Sequence, residues 1–377
     1  MELAWNGIYG QEHAKELLSK LISSSNIPHA FLFKGIAGCG KDYTAFKFAE
    51  LINSHFIGAE SFQKVKNQIL NLSEPYIKFI IPLPRGKNEN ESSTGIEKLS
   101  NDEIQILRDQ IEKKIQNPYY KISIPKANNI KVTSIRDIRK FISFSYADIK
   151  YRFIIISDAH LMNEEAQNAL LKNLEEPPPG IIFVLITPYP DSLRETIISR
   201  CWAINFHPLS NVDLTNILVN NFQVEETLSR EIAPFAGGSV LNAANLIEND
   251  FKNLLEKTIS FLRYALGRKF NSAYEEISPY LSENDSDSIK LLIQMVIIWL
   301  NDLQKFRIGY GNLYFFTYEE TFSKFNKGFP SVEINSLVKK LNYLSSIISN
   351  NVNLNVLALN MIFDIANLTS VNRIGKN

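Results

Sequence analysis

The sequence predicts an α/β domain with a phosphate-binding loop and a parallel sheet, followed by a small helical domain and an all-helical carboxy-terminal domain. Residues 35–42 read GIAGCGKD, a glycine-rich turn between an apolar run and a helical pattern. The stretches YRFIIISDAH (151–160) and IIFVLITP (181–188) are continuous apolar runs, which are typical of buried parallel strands. Beyond Pro208 strand patterns become rare, and 251–370 reads almost wholly helical.

The composition favours a soluble globular protein with more than one domain. The 377 residues exceed one ordinary core, and 45% are hydrophobic against 21% charged. No run approaches 18 apolar residues, and Met1–Trp5 lack a basic start, so we expect neither a membrane span nor a secretory signal. With two cysteines, Cys39 and Cys201, and five scattered histidines, no disulfide framework or zinc site is expected. A cytoplasmic location is the natural expectation.

The charge balance bears on nucleic acid binding. Lys and Arg number 40, and Asp and Glu also number 40, so the formal net charge is zero. A protein that holds nucleic acid alone usually carries a basic excess. If DNA is involved, we expect the contact to be local or shared with other subunits.

The amino-terminal segment alternates helix, strand and helix. Residues 11–25 place apolar side chains on one helical stripe, and HAFLFKG (29–35) is a short apolar run closed by glycine. Residues 41–56 return to helical spacing. Strand, glycine-rich turn and helix therefore follow in the order that a phosphate loop requires.

Residues 57–130 are less regular. The polar stretch PLPRGKNENESSTG (82–95) predicts an exposed loop. The pattern SNDEIQILRDQIEKKIQ (100–116) predicts an amphipathic helix that begins at Ser100 or Asn101.

The next segment continues the alternation. A helix is predicted over 134–146, a strand over 151–160, and a further helix within 163–180, with Asn163 as its N-cap and Pro177 shortly after its end. A further strand is predicted over 181–188. Continuous apolar strands between helices indicate a parallel sheet with both faces covered.

Beyond Pro208 strand signals become rare. Short helices are predicted in 209–250, and 251–370 reads almost wholly helical. The segment 289–304 is apolar nearly all round, which predicts burial in a bundle or at a subunit interface. The predicted domains are 1–208, 209–250 and 251–377.

The glycine-rich turn carries the first candidate site. Its candidate nucleotide-binding residues are Gly35, Gly38, Gly40, Lys41 and Asp42. The motif normally places Ser or Thr, a magnesium ligand, where this chain has Asp42. The plainer structural alternative is a glycine turn before a helix, with a solvated lysine.

A second signal lies at the end of the strand in 151–160. Asp158 is placed where a carboxylate holds Mg²⁺ beside the phosphates, although an Asp that begins a turn is the simpler alternative. An ATPase of this kind follows with Glu, whereas this chain has Ala159. Loss of a general base lowers a rate by roughly 10²–10⁴. Because the Asp42 carboxylate is itself a metal ligand, nucleotide binding stays open, but efficient hydrolysis is not expected.

These residues resemble the clamp-loader branch of the AAA+ proteins, and within it the delta-prime type of subunit of bacterial DNA polymerase III. The run from Asp158 to Pro178 includes the LLKxLEEPP signature, FVLIT (183–187) is similar to the first sensor strand, and Ser199-Arg200-Cys201 matches the SRC motif. The amino-terminal stretches IYGQ (8–11) and PHAFLFKG (28–35) match as well. The resemblance covers 5–56 and 130–208 well, is weak over 57–129, and is only architectural beyond 209.

The resemblance implies roles for two further residues. Arg200 corresponds to an arginine finger, which neutralises charge on a neighbouring subunit's γ-phosphate and is worth roughly 10³–10⁵ in such reactions. Its structural alternative is an arginine that ends a helix and pairs with a nearby carboxylate. Thr187 corresponds to the first sensor. The resemblance also implies that 209–250 is a lid and that 251–377 is a collar-type oligomerisation domain.

Departures from the family pattern imply that the chain is not the motor. Asp42, Ala159 and the residue Leu241, which replaces a second-sensor arginine, each remove a part of the ATPase site. The chain has no cysteine between Cys39 and Cys201, so the family's zinc module is absent or rebuilt without metal.

The expected function is therefore that of a non-catalytic clamp-loader subunit in the DNA polymerase III holoenzyme, which supplies Arg200 in trans. Its implied partners are gamma/tau ATPase subunits, the delta subunit, and the sliding clamp and primer–template DNA through the assembly, with no membrane. No cofactor is required, and weak binding of ATP or ADP with Mg²⁺ stays open. The alternatives are an active clamp-loader ATPase and a nucleotide-binding regulatory switch, the latter with Asp42 as substitute metal ligand.

Overall fold

The structure, a computed structural model, describes residues 4–84, 96, 99–144, 146–281, 286–311, 313–330, 332–348 and 352–369. The chain divides into two compact units, Met1–Ser229 with Gly237–Leu241 and Arg230–Ala236 with Asn242–Asn377. Most of the predicted loop at 82–95 lies outside the described residues. The proposed division at 208 and 250 stays a prediction.

The first unit is an α/β structure. Its strands are β1 (Ala30–Lys34), β2 (Ile77–Ile80), β3 (Arg152–Ile156), β4 (Ile181–Thr187) and β5 (Trp202–Asn205). Its helices include α1 (Glu12–Ser24), α2 (Lys41–Phe56), α3 (Ala59–Leu70), α4 (Asn101–Gln116), α5 (Val132–Ile142), α6 (Glu164–Glu175), α7 (Glu195–Ile198) and α8 (Asn211–Phe222). Two helices, α9 (Glu226–Ile232) and α10 (Val240–Glu248), run where the chain passes from one unit to the other.

The strands form one parallel sheet in the order β2-β3-β4-β1-β5. Alternate side chains enter opposite cores, because successive side chains of a strand point to opposite faces. On β1, Phe31 and Phe33 enter the core beneath α1, α2 and α3, whereas Leu32 enters the core beneath α5 and α6. The predicted parallel α/β fold is confirmed. Since the carboxyl ends of β3, β4 and β1 are neighbours, the residues after them meet at one edge.

Helix boundaries follow local chemistry. At the start of α4, the Ser100 side chain and Glu103 form a capping box, so the predicted beginning is confirmed. Asn163 caps α6 by accepting a hydrogen bond from the Ala166 backbone at 2.9 Å. The α6 helix ends at Glu175, shortly before Pro177 as predicted, because the residue before a proline is disfavoured in a helix.

The second unit is all-helical within the described residues. Its helices include α11 (Phe251–Leu266), α12 (Phe270–Ile277), α13 (Ser286–Arg307), α14 (Glu319–Gly328), α15 (Ile334–Ile347) and α16 (Leu354–Asn367). The apolar segment 289–304 lies in α13, where Trp299 is buried and its ring centroid is 5.2 Å from that of Phe322. Burial in a bundle is thus confirmed for it. Among the described residues, no helix has the length and apolar character needed to cross a membrane.

Candidate functional site

The phosphate loop connects β1 to α2 and fits only where its glycines lack side chains. A Cβ on Gly35 would lie 2.3 Å from the Phe206 carbonyl oxygen, which no side chain tolerates. Gly38 has φ +75° and lies against Ser239 and Leu241, with 2.5 Å from a built Cβ to the Ser239 hydroxyl. Gly40 is the N-cap of α2. The glycine-rich turn predicted between a strand and a helix is therefore present in the structure.

Lys41 is turned back onto the loop. Its Nζ donates hydrogen bonds to the carbonyl oxygens of Gly35 at 2.7 Å and Ile36 at 2.5 Å, and the side chain is buried. Burial lowers the pKa of Lys41. In this arrangement the loop's own carbonyls, rather than an external anion, satisfy the amine. The solvated lysine of the plainer alternative is wrong.

Asp42 lies in an ion pair at the start of α2. Its Oδ2 accepts a hydrogen bond from Lys114 Nζ at 3.0 Å, and its Oδ1 accepts one from Ser157 Oγ at 2.9 Å. Burial opposes the charged form, but Lys114, Lys121 and these hydrogen bonds outweigh it and lower the pKa of Asp42 to about 2. The carboxylate is ionised and already partnered.

Asp158 is placed next to Asp42 by the sheet. It follows β3 in the left-handed region, with φ 54°, and its carboxylate pairs with Lys121. Ser157, the residue between β3 and Asp158, is the one that reaches Asp42. Two carboxylates and two ammonium groups therefore form one cluster at the carboxyl edge of the sheet.

Both lysines come from the segment 114–121 at the end of α4. The Lys114 side chain is only 3% exposed, and it also donates to the Tyr120 carbonyl oxygen at 2.7 Å. Burial lowers the pKa of Lys114, and the Asp42 charge opposes that shift. This segment belongs to 57–129, the region where the family's zinc module is expected and this chain has no cysteine. Helix α4 of that region therefore places residues beside the phosphate loop.

The same segment covers the loop. The Tyr119 hydroxyl donates to the Gly7 carbonyl oxygen and accepts from the Tyr9 backbone N–H, both at 3.1 Å. Its ring stands 5.2 Å from that of Tyr43 on α2. The cavity left between the segment and the loop measures about 40 Å³.

Of the next three positions that the sequence singled out, one lines this cavity and two are buried without lining it. Leu241 lines it, and the Val240 N–H donates to the Gly38 carbonyl oxygen at 2.9 Å. Thr187 is fully buried, is not among the lining residues, and accepts a hydrogen bond from the Tyr189 backbone at 2.9 Å. Ala159 is buried in the core beneath α5 and α6.

Arg200 lies apart from the cavity, between α7 and β5. Its side chain is 36% exposed and pairs through Nη2 with Oε1 of Glu175 at 3.0 Å. Its Nη1 donates to the Thr196 carbonyl oxygen at 2.8 Å. The pairing expected by the structural alternative is therefore present, on a side chain that remains at the surface.

Sequence reasoning missed Lys114, Lys121 and Ser157. One signal was available for Lys114, because Ile104, Leu107 and Ile111 form the apolar stripe of α4 and Lys114 continues it at the next helical step. A lysine on a buried stripe needs a partner. Nothing in the pattern names Asp42, 72 residues away, as that partner.

The residues do not fit a magnesium–nucleotide complex in this arrangement. Both carboxylates that would ligate the metal are paired with ammonium groups, and the Lys41 amine is bound to loop carbonyls. Within the described part of the chain, no three His, Cys, Asp or Glu side chains form a group that could hold a metal ion.

Comparisons with known proteins give the family. A family model described as DNA polymerase III, delta subunit, matches residues 10–210. DNA polymerase III subunit tau of Bacillus subtilis is 31% identical over 246 residues, 64% of this chain and 36% of that protein. Subunit delta' of the same organism is 25% identical over 314 residues, 82% of each.

Coverage of these relatives is uneven. The match spans between 36% and 57% of the length of the first three curated relatives, the tau subunit and two gamma subunits from Buchnera aphidicola. A solved gamma-subunit-related protein of DNA polymerase III from Thermotoga maritima is 16% identical, covers 93% of this chain and 99% of its own, and has a TM-score of 0.44. The family model alone spans more than half of the 377 residues. The chain therefore belongs to the DNA polymerase III delta-subunit family of clamp-loader proteins.

Proposed function

We propose that this chain is a delta-prime-type subunit of a cytoplasmic clamp loader, which does not hydrolyse ATP and supplies Arg200 to an ATPase site on a neighbouring subunit. The observation that carries the proposal is the pairing of both acidic positions of the phosphate loop site with Lys114 and Lys121. Because both carboxylates are paired with lysines, neither is available as a ligand for the metal ion that phosphoryl transfer uses.

Other positions of the site support a non-catalytic role. The side chain after Asp158 is the buried methyl group of Ala159, which accepts no proton from water. At the second-sensor position, Leu241 offers no charge to a phosphate. The buried Thr187 hydroxyl is bound to its own chain rather than aimed at the cavity.

Arg200 suits a role in trans because its present contacts are weak. The Glu175 carboxylate that holds it is itself 50% exposed. An exposed pair of this kind stabilises by about 0–1 kcal/mol, so a phosphate on a partner subunit outcompetes it readily. A planar guanidinium also binds two phosphate oxygens at once, which a lysine does not.

A second candidate is an active clamp-loader ATPase, and sequence identity favours it. The chain is 31% identical to a tau subunit but 25% identical to a delta' subunit. The lysine-filled site argues against it. Turnover of ATP above background by the purified chain would favour this candidate over the first.

Reconstitution tests the assembly part of the proposal. The purified chain is mixed with gamma/tau-type and delta subunits from the same source and separated by size-exclusion chromatography. We expect one complex that loads a sliding clamp on primer–template DNA only when this chain is present. Loading at the same rate without the chain would contradict the proposal.

A further inference from the structure

We infer that the ammonium groups of Lys114 and Lys121 replace the divalent cation of the phosphate loop, and that the segment 114–121 is a fixed closure over it. The inference deepens the non-catalytic part of the proposed function and rests on it. It gives a cause for the proposed lack of ATP hydrolysis, and that cause lies in residues outside the loop 35–42.

Charge balance is the first support. Asp42 and Asp158 contribute two negative charges, and Lys114 and Lys121 contribute two positive charges, which is the charge of one Mg²⁺ ion. A metal that entered beside these ammonium groups would meet two like charges in a partly buried site, where repulsion is strong. The lysines satisfy the carboxylates and at the same time exclude the ion.

The anchoring of the segment is the second support. Leu107 fixes α4 in a small core with Ile81, Leu83 and Leu99. At the other end, the Tyr119 hydroxyl is bound at 3.1 Å to the backbone of both Gly7 and Tyr9.

Between these anchors Lys114 is sealed in. Its Nζ lies 5.8 Å from the ring centre of Phe46 on α2 and makes the hydrogen bonds to Asp42 and Tyr120 described above. Withdrawing it would leave the Asp42 carboxylate in a partly buried site without its counter-charge. Lys114 is thus held by packing on both sides, and Lys121 is held by its ion pair with Asp158.

Lysine-to-methionine variants test the inference, because methionine keeps the length of the side chain and removes the charge. Lys121→Met frees Asp158 and leaves the buried Lys114–Asp42 pair intact. Lys114→Met/Lys121→Met frees both carboxylates. Lys113→Met is the matched control, since Lys113 is an exposed neighbour on the same helix.

The probe is Mn²⁺, alone and with ADP, bound to the full chain and followed by electron paramagnetic resonance. We expect the wild type and Lys113→Met to bind only at millimolar concentration or above. Lys121→Met should bind Mn²⁺ at least tenfold more tightly, and the double variant more tightly still. A folded Lys121→Met chain with wild-type affinity would overturn the inference, as would micromolar binding of Mn²⁺–ADP by the wild type.

A measurement on the unaltered chain decides the question if the variants do not fold. Hydrogen exchange of the backbone amides in 114–121 is compared with and without millimolar Mg²⁺–ATP. We expect no change in protection, because the closure does not open for the complex. Altered protection confined to 114–121 and 35–42 would overturn the inference.

These experiments are separate from those on Arg200. They measure metal binding by the isolated chain. The role of Arg200 is instead measured as the rate of ATP hydrolysis by a neighbouring subunit in the assembled complex. Tight metal binding by the wild type would remove the inference and leave the finger proposal standing.

Discussion

The ion pair between Asp42 and Lys114 shows how one unusual residue changes the chemistry of a loop. Position 42 holds a carboxylate where the motif has a hydroxyl. Its Oδ2 accepts a hydrogen bond from Lys114 Nζ at 3.0 Å. Removing one member of a buried pair leaves an uncompensated charge, whereas replacing both with apolar groups is often nearly neutral. The two charges therefore depend on each other.

This dependence gives a prediction for stability. Asp42→Asn should lower the free energy of unfolding by about 3 kcal/mol, because it leaves Lys114 buried without a counter-charge. Asp42→Asn/Lys114→Met should recover most of that loss. Urea unfolding of the two single variants and the double variant measures the coupling. Additive losses in the double variant would contradict the pairing.

The low pKa of Asp42 gives a prediction for pH. The pKa is about 2 in the folded chain against 3.8 normally, so the group contributes stability above about pH 4 that is lost as the pH falls towards 2. The shift corresponds to about 2 kcal/mol. The difference in unfolding free energy between wild type and Asp42→Asn should shrink across this window. A constant difference from pH 5 to pH 2 would argue against the shift.

Among the elements, α4 has the largest consequence for the site. The helix begins with a capping box, and Lys114 lies in its last turn. Between them, Leu107 packs into a small hydrophobic core. The cap was predictable because Ser100 precedes Glu103 by three residues. The position of Lys114 beside Asp42 was not predictable, because it depends on how α4 packs against residues distant in the sequence.

The cap of α4 supplies a prediction of its own. Ser100→Ala should destabilise the helix by about 1 kcal/mol, since it removes the acceptor for the Glu103 N–H. Ser100→Asp keeps an acceptor and serves as the control. Hydrogen exchange should speed up in the first turns of α4 in the alanine variant. Equal exchange in both variants would contradict a capping role.

The strands show which elements a single sequence identifies. β3 and β4 were predictable because their continuous apolar runs are buried on both faces. β2 and β5 were not, because each has four residues and they lie at the two edges of the sheet. In β5 only Ile204 is buried, and Trp202, Ala203 and Asn205 are exposed, so the sequence pattern does not distinguish this strand from a loop.

At the scale of the molecule, the sequence predicted the parts of the site that lie near one another in the chain. The loop at 35–42 and Asp158 each follow a strand, and parallel order brings them together. The closure by 114–121 was not predictable, because its contacts to Asp42, Gly7 and Tyr9 span 72 to 112 residues. Such contacts follow from how α4 packs rather than from any local pattern.

The closed site leads to a prediction for the purified protein. The chain alone should turn over ATP at the background rate, with or without DNA and sliding clamp, because we infer that lysines take the place of the metal ion. A coupled phosphate-release assay measures this, with a gamma/tau-type subunit as the positive control. Steady turnover that copurifies with this chain would support the active ATPase instead.

The arginine finger is the central claim, and reconstituted clamp loaders test it most directly. Assemblies carrying wild type, Arg200→Ala or Arg200→Lys are compared with Arg108→Ala, a change at an exposed arginine on α4. We predict that every assembly forms. The two Arg200 variants should slow clamp- and DNA-stimulated hydrolysis at the adjoining site by about 10³ or more, while Arg108→Ala stays at the wild-type rate. An intact Arg200→Ala assembly that hydrolyses ATP as fast as wild type would contradict the account.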